Sequence, residues 1–278
     1  MMTEAVKLVT FLNVVFILIL ALSSSFGGFV GECVYYLAFA IPVVVGFYSS
    51  SALKTKREEI KGVAEPQERF FAFGKEKAIK ILPLIAPVVL TVFLASLLTS
   101  IVLSFVGVSS LPVEDTGIFN MLLAHALLPA VFEEVLFRYI PLKILLPYSG
   151  RWCVLYSALC FSLIHCSFSQ MPYAFIAGVI FMLVDVAFDS VWPSIILHFV
   201  NNSLSIVWMK YFSGTVATLV MLSVLVLITL ISLFFVMRKR GEYVEMFATS
   251  FDKGEKIGLT YAPFVLALIC VYIAWSSL

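Results

Sequence analysis

Nine apolar stretches, at residues 6–25, 33–53, 80–107, 118–138, 152–168, 171–190, 193–211, 214–237 and 259–277, take up most of this chain. A helix needs about 20 apolar residues to cross the hydrocarbon core of a bilayer. In lipid no water can satisfy a backbone N–H or C=O, and a helix satisfies these groups within itself. The expected fold is therefore all-α, a polytopic transmembrane bundle of eight or nine spans. Eight applies if 6–25 is a cleaved signal segment, but its thin basic n-region favours a retained helix. With 62% hydrophobic and 13% charged residues, the chain departs from soluble proteins, which are about half apolar and a quarter charged. No polar stretch is long enough for a separate domain, so residues 1–278 read as a single integral membrane domain.

Charge orients the spans. Segment 54–80 carries Lys54, Lys56, Arg57, Lys61, Arg69, Lys75, Lys77 and Lys80, and reads as a partly helical cytoplasmic basic linker. An interfacial helix containing Phe70-Phe71-x-Phe73 is the less favoured reading of its end. Counting forward puts Val113-Glu114-Asp115 outside, and both Arg138 to Arg151 and Arg238-Lys239-Arg240 inside, in agreement with the same rule. The net charge of +1 argues neither for nor against nucleic acid, but no basic patch with interleaved aromatics appears, and no nucleic-acid partner is expected. The lipid bilayer is the partner that the sequence demands.

Within the run Leu127 to Arg138 stand Glu133, Glu134 and Arg138. A charged side chain at membrane depth costs at least about 2.5–3.5 kcal/mol, so three together require a compensating role. Residues four apart share a helix face, which pairs Glu134 with Arg138, acid N-terminal to base. Glu133 points elsewhere, with its carboxylate free to act. The plain alternative is a helix end whose charges reach interfacial water.

Two later stretches carry Phe161-x-x-x-His165 and His198-x-x-x-Asn202, and these are two of the three histidines in the chain. His198 and Asn202 project from one helix face as hydrogen-bond donors; read singly, each is an ordinary interhelical polar contact. Together with Glu133 they make a credible hydrolytic site. A carboxylate in a low-dielectric cavity can take a proton from water, a histidine can orient that water, and nearby donors can stabilise an oxyanion. A divalent metal such as zinc, held by Glu133, His165 and His198, is equally open at this stage, two histidines and a carboxylate being a known ligand set. There is no His-Glu-x-x-His and no Cys-x-x-Cys. His125 reads as structural. Asp185 and Asp189, close to Trp192-Pro193, read as an interfacial helix end, and Pro193 suits the first turn of the next helix. The five cysteines read as small buried hydrophobes, Cys166 keeping an alternative as a nucleophile beside His165.

Glu133-Glu134-x-x-x-Arg138, Phe161-x-x-x-His165 and His198-x-x-x-Asn202, in this order over successive spans, resemble the CPBP intramembrane protease family. That family, also called ABI, includes type II CAAX prenyl endopeptidases and bacteriocin-processing proteins. The resemblance covers about residues 118–211, the catalytic core region. It implies an intramembrane endopeptidase acting on a peptide or protein, such as a prenylated protein or a peptide precursor, in the plasma membrane of a prokaryote, with its site open to the cytosol. Carried over by position, Glu133 is the base, His165 assists the water, His198 and Asn202 stabilise the oxyanion, and Glu134 with Arg138 holds the geometry. Whether a metal takes part stays open. The competing readings are a proton-coupled transporter and a non-catalytic bacteriocin-immunity or scaffold protein. One mismatch stands: at about 1.5 Å per residue, Glu133 and His198 lie roughly 8 Å from cytosolic ends at Arg138 and Pro193, whereas His165 lies about 21 Å from Arg151. A tilted or broken fifth helix, a helix beginning outside the bilayer, or a deep cavity would each account for it.

Overall fold

The computed structural model describes residues 2–26, 28–61, 70–105, 117–212, 214–248 and 261–276, and no strand occurs among them. Residues 62–69 of the expected linker and the Val113-Glu114-Asp115 loop lie outside the described residues. The long helices are α1 (Met2–Ser23), α2 (Gly28–Lys61), α3 (Lys75–Ser104), α4 (Ile118–Leu145), α5 (Gly150–Leu163), α6 (Met171–Phe188), α7 (Trp192–Tyr211) and α8 (Thr215–Arg238). The short α9 (Arg240–Ala248) and α10 (Ala262–Ser276) complete the set. The chain is thus a helical membrane bundle. Among the described residues six helices (α1, α2, α3, α4, α6 and α8) are long and apolar enough to cross a membrane, somewhat fewer than the eight or nine expected.

The shortfall has physical causes. At about 1.5 Å per residue, α5 spans roughly 21 Å of a core about 30 Å thick. It is carried by α6, against which it packs so closely that a Cβ on Gly178 would come within 2.9 Å of the Ala158 Cα. Small residues let membrane helices approach in this way. Helix α7 has the length but not the composition, because Ser194, His198, Asn201, Asn202, Ser203 and Ser205 interrupt its apolar character.

Helix α4 runs without a break to Leu145, past the end expected at Arg138, and widens into π-turns at Leu123–Leu127 and Val135–Tyr139. Each π-turn is followed by a proline, Pro129 or Pro141, whose ring would clash with the carbonyl four residues back in a regular helix. The wider turn relieves that clash. A proline also lacks an N–H, so it cannot donate to that carbonyl, and the carbonyls of His125 and Phe137 are left to other donors.

Helix α5 stops at Leu163 rather than running to 168, and Cys166 at φ 46° closes it in the left-handed region. His165 therefore sits on a turn between α5 and α6, not on a continuing span. For Glu133 and His165 the depth mismatch closes on these two corrections, whereas His198 stays roughly 8 Å from Pro193. With α4 continuing to Leu145, Glu133 lies about 18 Å from that helix end, close to the roughly 21 Å that α5 puts between its start and the His165 turn.

One end of the bundle is knitted together by polar and aromatic contacts. Lys80 Nζ lies 3.6 Å from Glu242 of α9, and the Tyr243 hydroxyl donates to the Lys80 carbonyl at 2.9 Å. Lys77 donates to the Asp189 carbonyl at 3.1 Å, and the Val191 N–H to the Phe70 carbonyl at 2.8 Å. The Phe71 ring meets Tyr139 at 4.5 Å, Lys143 sits 4.4 Å from the Phe47 ring centre, and Arg57 sits 5.2 Å from that of Tyr148. The C-terminal ends of α2, α4, α6 and α8 thus meet the N-terminal ends of α3, α5 and α7.

Candidate active site

At the centre of the bundle Glu134 and Arg138 are both fully buried, with Arg138 Nε 3.2 Å from Glu134 Oε2. The other Glu134 oxygen accepts the Nδ1–H of His198 at 2.7 Å. The guanidinium lies 4.3 Å from the centre of the Phe161 ring and donates to the Phe137 carbonyl, one of the two released by proline, at 3.3 Å. Ser157 of α5 donates to the same carbonyl and ties α5 to α4. The pair read from spacing is therefore part of a triad, Arg138–Glu134–His198, that joins α4 to α7.

His198 is fixed further by its rings of contact, Phe161 at 5.9 Å and Phe181 at 5.8 Å between centroids. With Nδ1–H committed to a carboxylate, the free nitrogen is Nε2, which lies 3.9 Å from Glu133 Oε2. The neutral ring offers Nε2 as an acceptor, and only the imidazolium donates from it. His165 has the same tautomer for a different reason. Its backbone N–H turns to the Ser162 carbonyl as α5 ends, and its ring Nδ1–H takes over the Phe161 carbonyl at 2.7 Å. Asn202 donates its side-chain amide to the His125 carbonyl at 3.1 Å, the other carbonyl released by a proline, and accepts from Asn201 at 3.2 Å. One amide proton of Asn202 remains for a substrate.

Glu133, His165, His198 and Asn202 all line one cavity of about 660 Å³. The structure thus brings the four together on one wall system, while Glu134 and Arg138 stand behind it. His125, read as structural, both lines this cavity and supplies the carbonyl that holds Asn202. Sequence reasoning missed Tyr35, Gln170, Tyr173 and Ser205, which also reach the cavity. Ser205 could have been found, since His198, Asn201, Asn202 and Ser205 follow the i, i+3, i+4, i+7 pattern of a single helix face. The tyrosines carry no such signal. Phe93 and Trp208, which also line the cavity, pack with ring centroids 4.5 Å apart.

Among the described residues no group of three His, Cys, Asp or Glu side chains converges as a metal site. Glu133, His165 and His198 share the cavity without forming the ligand set considered from sequence. Asp185, expected at an interfacial helix end with Asp189, is instead buried, and its Oδ1 accepts the Ser194 N–H at 2.9 Å in the first turn of α7. A carboxylate there satisfies an orphan donor and complements the helix dipole. Asp189 does end α6, and Pro193 does lie in the first turn of α7. The cysteines are free; Cys153, Cys160 and Cys270 are buried, Cys33 is exposed and Cys166 is half-buried.

No curated protein and no solved structure matches the chain. Residues 115–204, which contain every motif residue of this site, match the family model of Rce1-like type II CAAX prenyl endopeptidases, and that similarity supports an intramembrane endopeptidase in general.

Proposed function

We propose that this chain is a membrane-embedded endopeptidase in which Glu133 is the general base. A water held between Glu133 and His165 gives a proton to Glu133 as its oxygen adds to the scissile carbonyl. Asn202, with its remaining amide proton, and His198, as the imidazolium, donate to the oxyanion. Collapse of the tetrahedral species breaks the C–N bond, and Glu133 returns the proton to the leaving amine. Glu134 and Arg138 act through His198, whose ring they orient. The substrate is a peptide or protein segment, such as a lipidated protein or a peptide precursor, in a prokaryotic plasma membrane.

The observation that carries this reading is the 3.9 Å approach of His198 Nε2 to Glu133 on the wall of a cavity that His165 and Asn202 also line. The test is cleavage of a quenched-fluorescence peptide library by purified protein, comparing wild type with Glu133→Gln, each with and without chelator. Cleavage by wild type and none by the variant supports the assignment. Equal cleavage by both removes Glu133 from the chemistry.

A further inference from the structure

Two cysteines that the proposed chemistry does not use meet across the bundle. Cys166 closes the end of α5 directly after His165, and Cys270 lies on α10. Helix α10 packs on α1 and α5, and its buried residues, Leu266, Cys270 and Ala274, stand four apart on a single face. The middle one of the three meets Cys166. The two thiols lie within hydrogen-bonding reach of each other, in the same packed cluster as Cys160. Cys153 of α5 is turned instead to the Pro141 carbonyl at 3.5 Å.

Packing as a small hydrophobe explains a buried cysteine, but not this pair. At φ 46° Cys166 stands in the left-handed region, where glycine closes a helix at the least steric cost. The side chain kept there against that cost is the one that reaches Cys270. The two thiols also differ in access. Cys166 is half-buried and Cys270 is fully enclosed, the arrangement of an attacking thiol with a resolving thiol behind it. Among the described residues no third His, Cys, Asp or Glu joins them as a metal site.

We propose that Cys166 and Cys270 are a redox pair, the site at which a small-molecule disulfide oxidises this chain, and that the bond between them staples α10 to the turn that carries His165. The Cys166 thiolate attacks one sulfur of the small disulfide, forming a mixed disulfide and releasing one thiolate. The Cys270 thiolate then attacks the Cys166 sulfur, forms the internal bond and releases the second thiolate. The chain loses two electrons and two protons, and the small disulfide leaves as two thiols. A disulfide draws its sulfurs to about 2.05 Å. Helix α10, whose Phe264, Leu268, Tyr272 and Trp275 are exposed, is the less enclosed partner and takes up that shift. The inference does not rest on the peptidase reading.

The test uses the full chain in membranes with the exposed thiol removed, Cys33→Ser, so that four thiols remain. The protein is treated with oxidised glutathione, then denatured, and its free thiols are counted with a maleimide mass tag and mapped by peptide mass spectrometry. The count is expected to fall to two, with a peptide pair linked through Cys166 and Cys270, and to return to four with dithiothreitol. Adding Cys270→Ala should trap glutathione on Cys166, whereas adding Cys166→Ala should leave Cys270 unmodified, since the oxidant does not reach it. In detergent the oxidised protein should melt about 5–10 °C above the reduced one, and neither Ala variant should show that rise. Four thiols after oxidation, or a bridge from Cys270 to Cys160, overturns the pair. A Cys166–Cys270 bridge with an unchanged melting temperature overturns the staple.

Discussion

Asn202 reaches across from α7 to donate to the main-chain carbonyl of His125, which Pro129, lacking an N–H, cannot satisfy as the residue four positions on. In the proposed mechanism Asn202 is an oxyanion donor, a group that has to be in place before the reaction begins, and this bond would hold it there. Asn202→Ala removes the donor and leaves the carbonyl without its partner. Turnover should fall by about 10²–10³-fold, as for loss of an oxyanion-hole donor, with the Michaelis constant little changed. Steady-state kinetics on a cleaved peptide separates these two effects, and a rise in the constant alone would make Asn202 a binding residue.

Pro129→Ala restores a donor to the His125 carbonyl and removes the clash that the π-turn relieves. The turn is then free to tighten into α-helix, which would rotate the Glu133 side of α4 relative to α7. Activity should fall while thermal stability holds or rises. A variant with unchanged kinetics would show that the π-turn does not depend on the proline.

Arg138→Ala leaves Glu134 buried without its cation, at a cost of roughly 3–5 kcal/mol for a broken buried pair. It also removes one of the groups that fix the carboxylate to which the His198 Nδ1–H is bound at 2.7 Å. The expected result is a lower melting temperature in detergent and loss of activity together. Arg138→Ala with wild-type stability would mean that water reaches the triad.

Glu133→Gln should behave differently, because its side chain is only partly enclosed and faces the cavity. The fold should stand while activity drops by about 10²–10⁴-fold, the usual contribution of a general base. Glu133→Gln and Arg138→Ala therefore separate on a plot of melting temperature against activity, one losing turnover alone and the other losing both.

Chelation provides a further discrimination. Since no three candidate ligands converge among the described residues, peptide cleavage should survive exhaustive treatment with EDTA. Loss of cleavage on chelation, with recovery on adding zinc, would instead show that Glu133, His165 and His198 rearrange around an ion.

The spacing of charged and polar residues made much of the site legible. Residues four apart on a helix have to share a face, so the Glu134–Arg138 pair could be read directly, as could the common side of His198 and Asn202. What spacing could not reveal was the partner chosen across helices: Glu134 turned out to serve His198 as well, and Asn202 to serve a carbonyl. The continuation of α4 to Leu145 was hidden because a period-based reading assumes a regular α-helix, while Pro129 and Pro141, twelve residues apart, mark two places where it is not. The early end of α5 carries no glycine or proline signal, since Cys166 adopts the left-handed conformation that those rules reserve for other residues. Asp185 looked interfacial because its burial depends on a hairpin with α7 that no local pattern encodes.

The two carbonyls released in α4 have a consequence for mutational tolerance. An acceptor built from main chain survives a side-chain replacement at its own position, so a change at residue 125 need not disturb Asn202, whereas Phe137 is also held by its packing in the core. The vulnerability is displaced four positions along the chain, to Pro129 and Pro141. A deep mutational scan should therefore find genetic constraint at both prolines, although Pro141 lies outside the cavity lining, and permissiveness towards the Asn202 contact at residue 125, whose carbonyl accepts it.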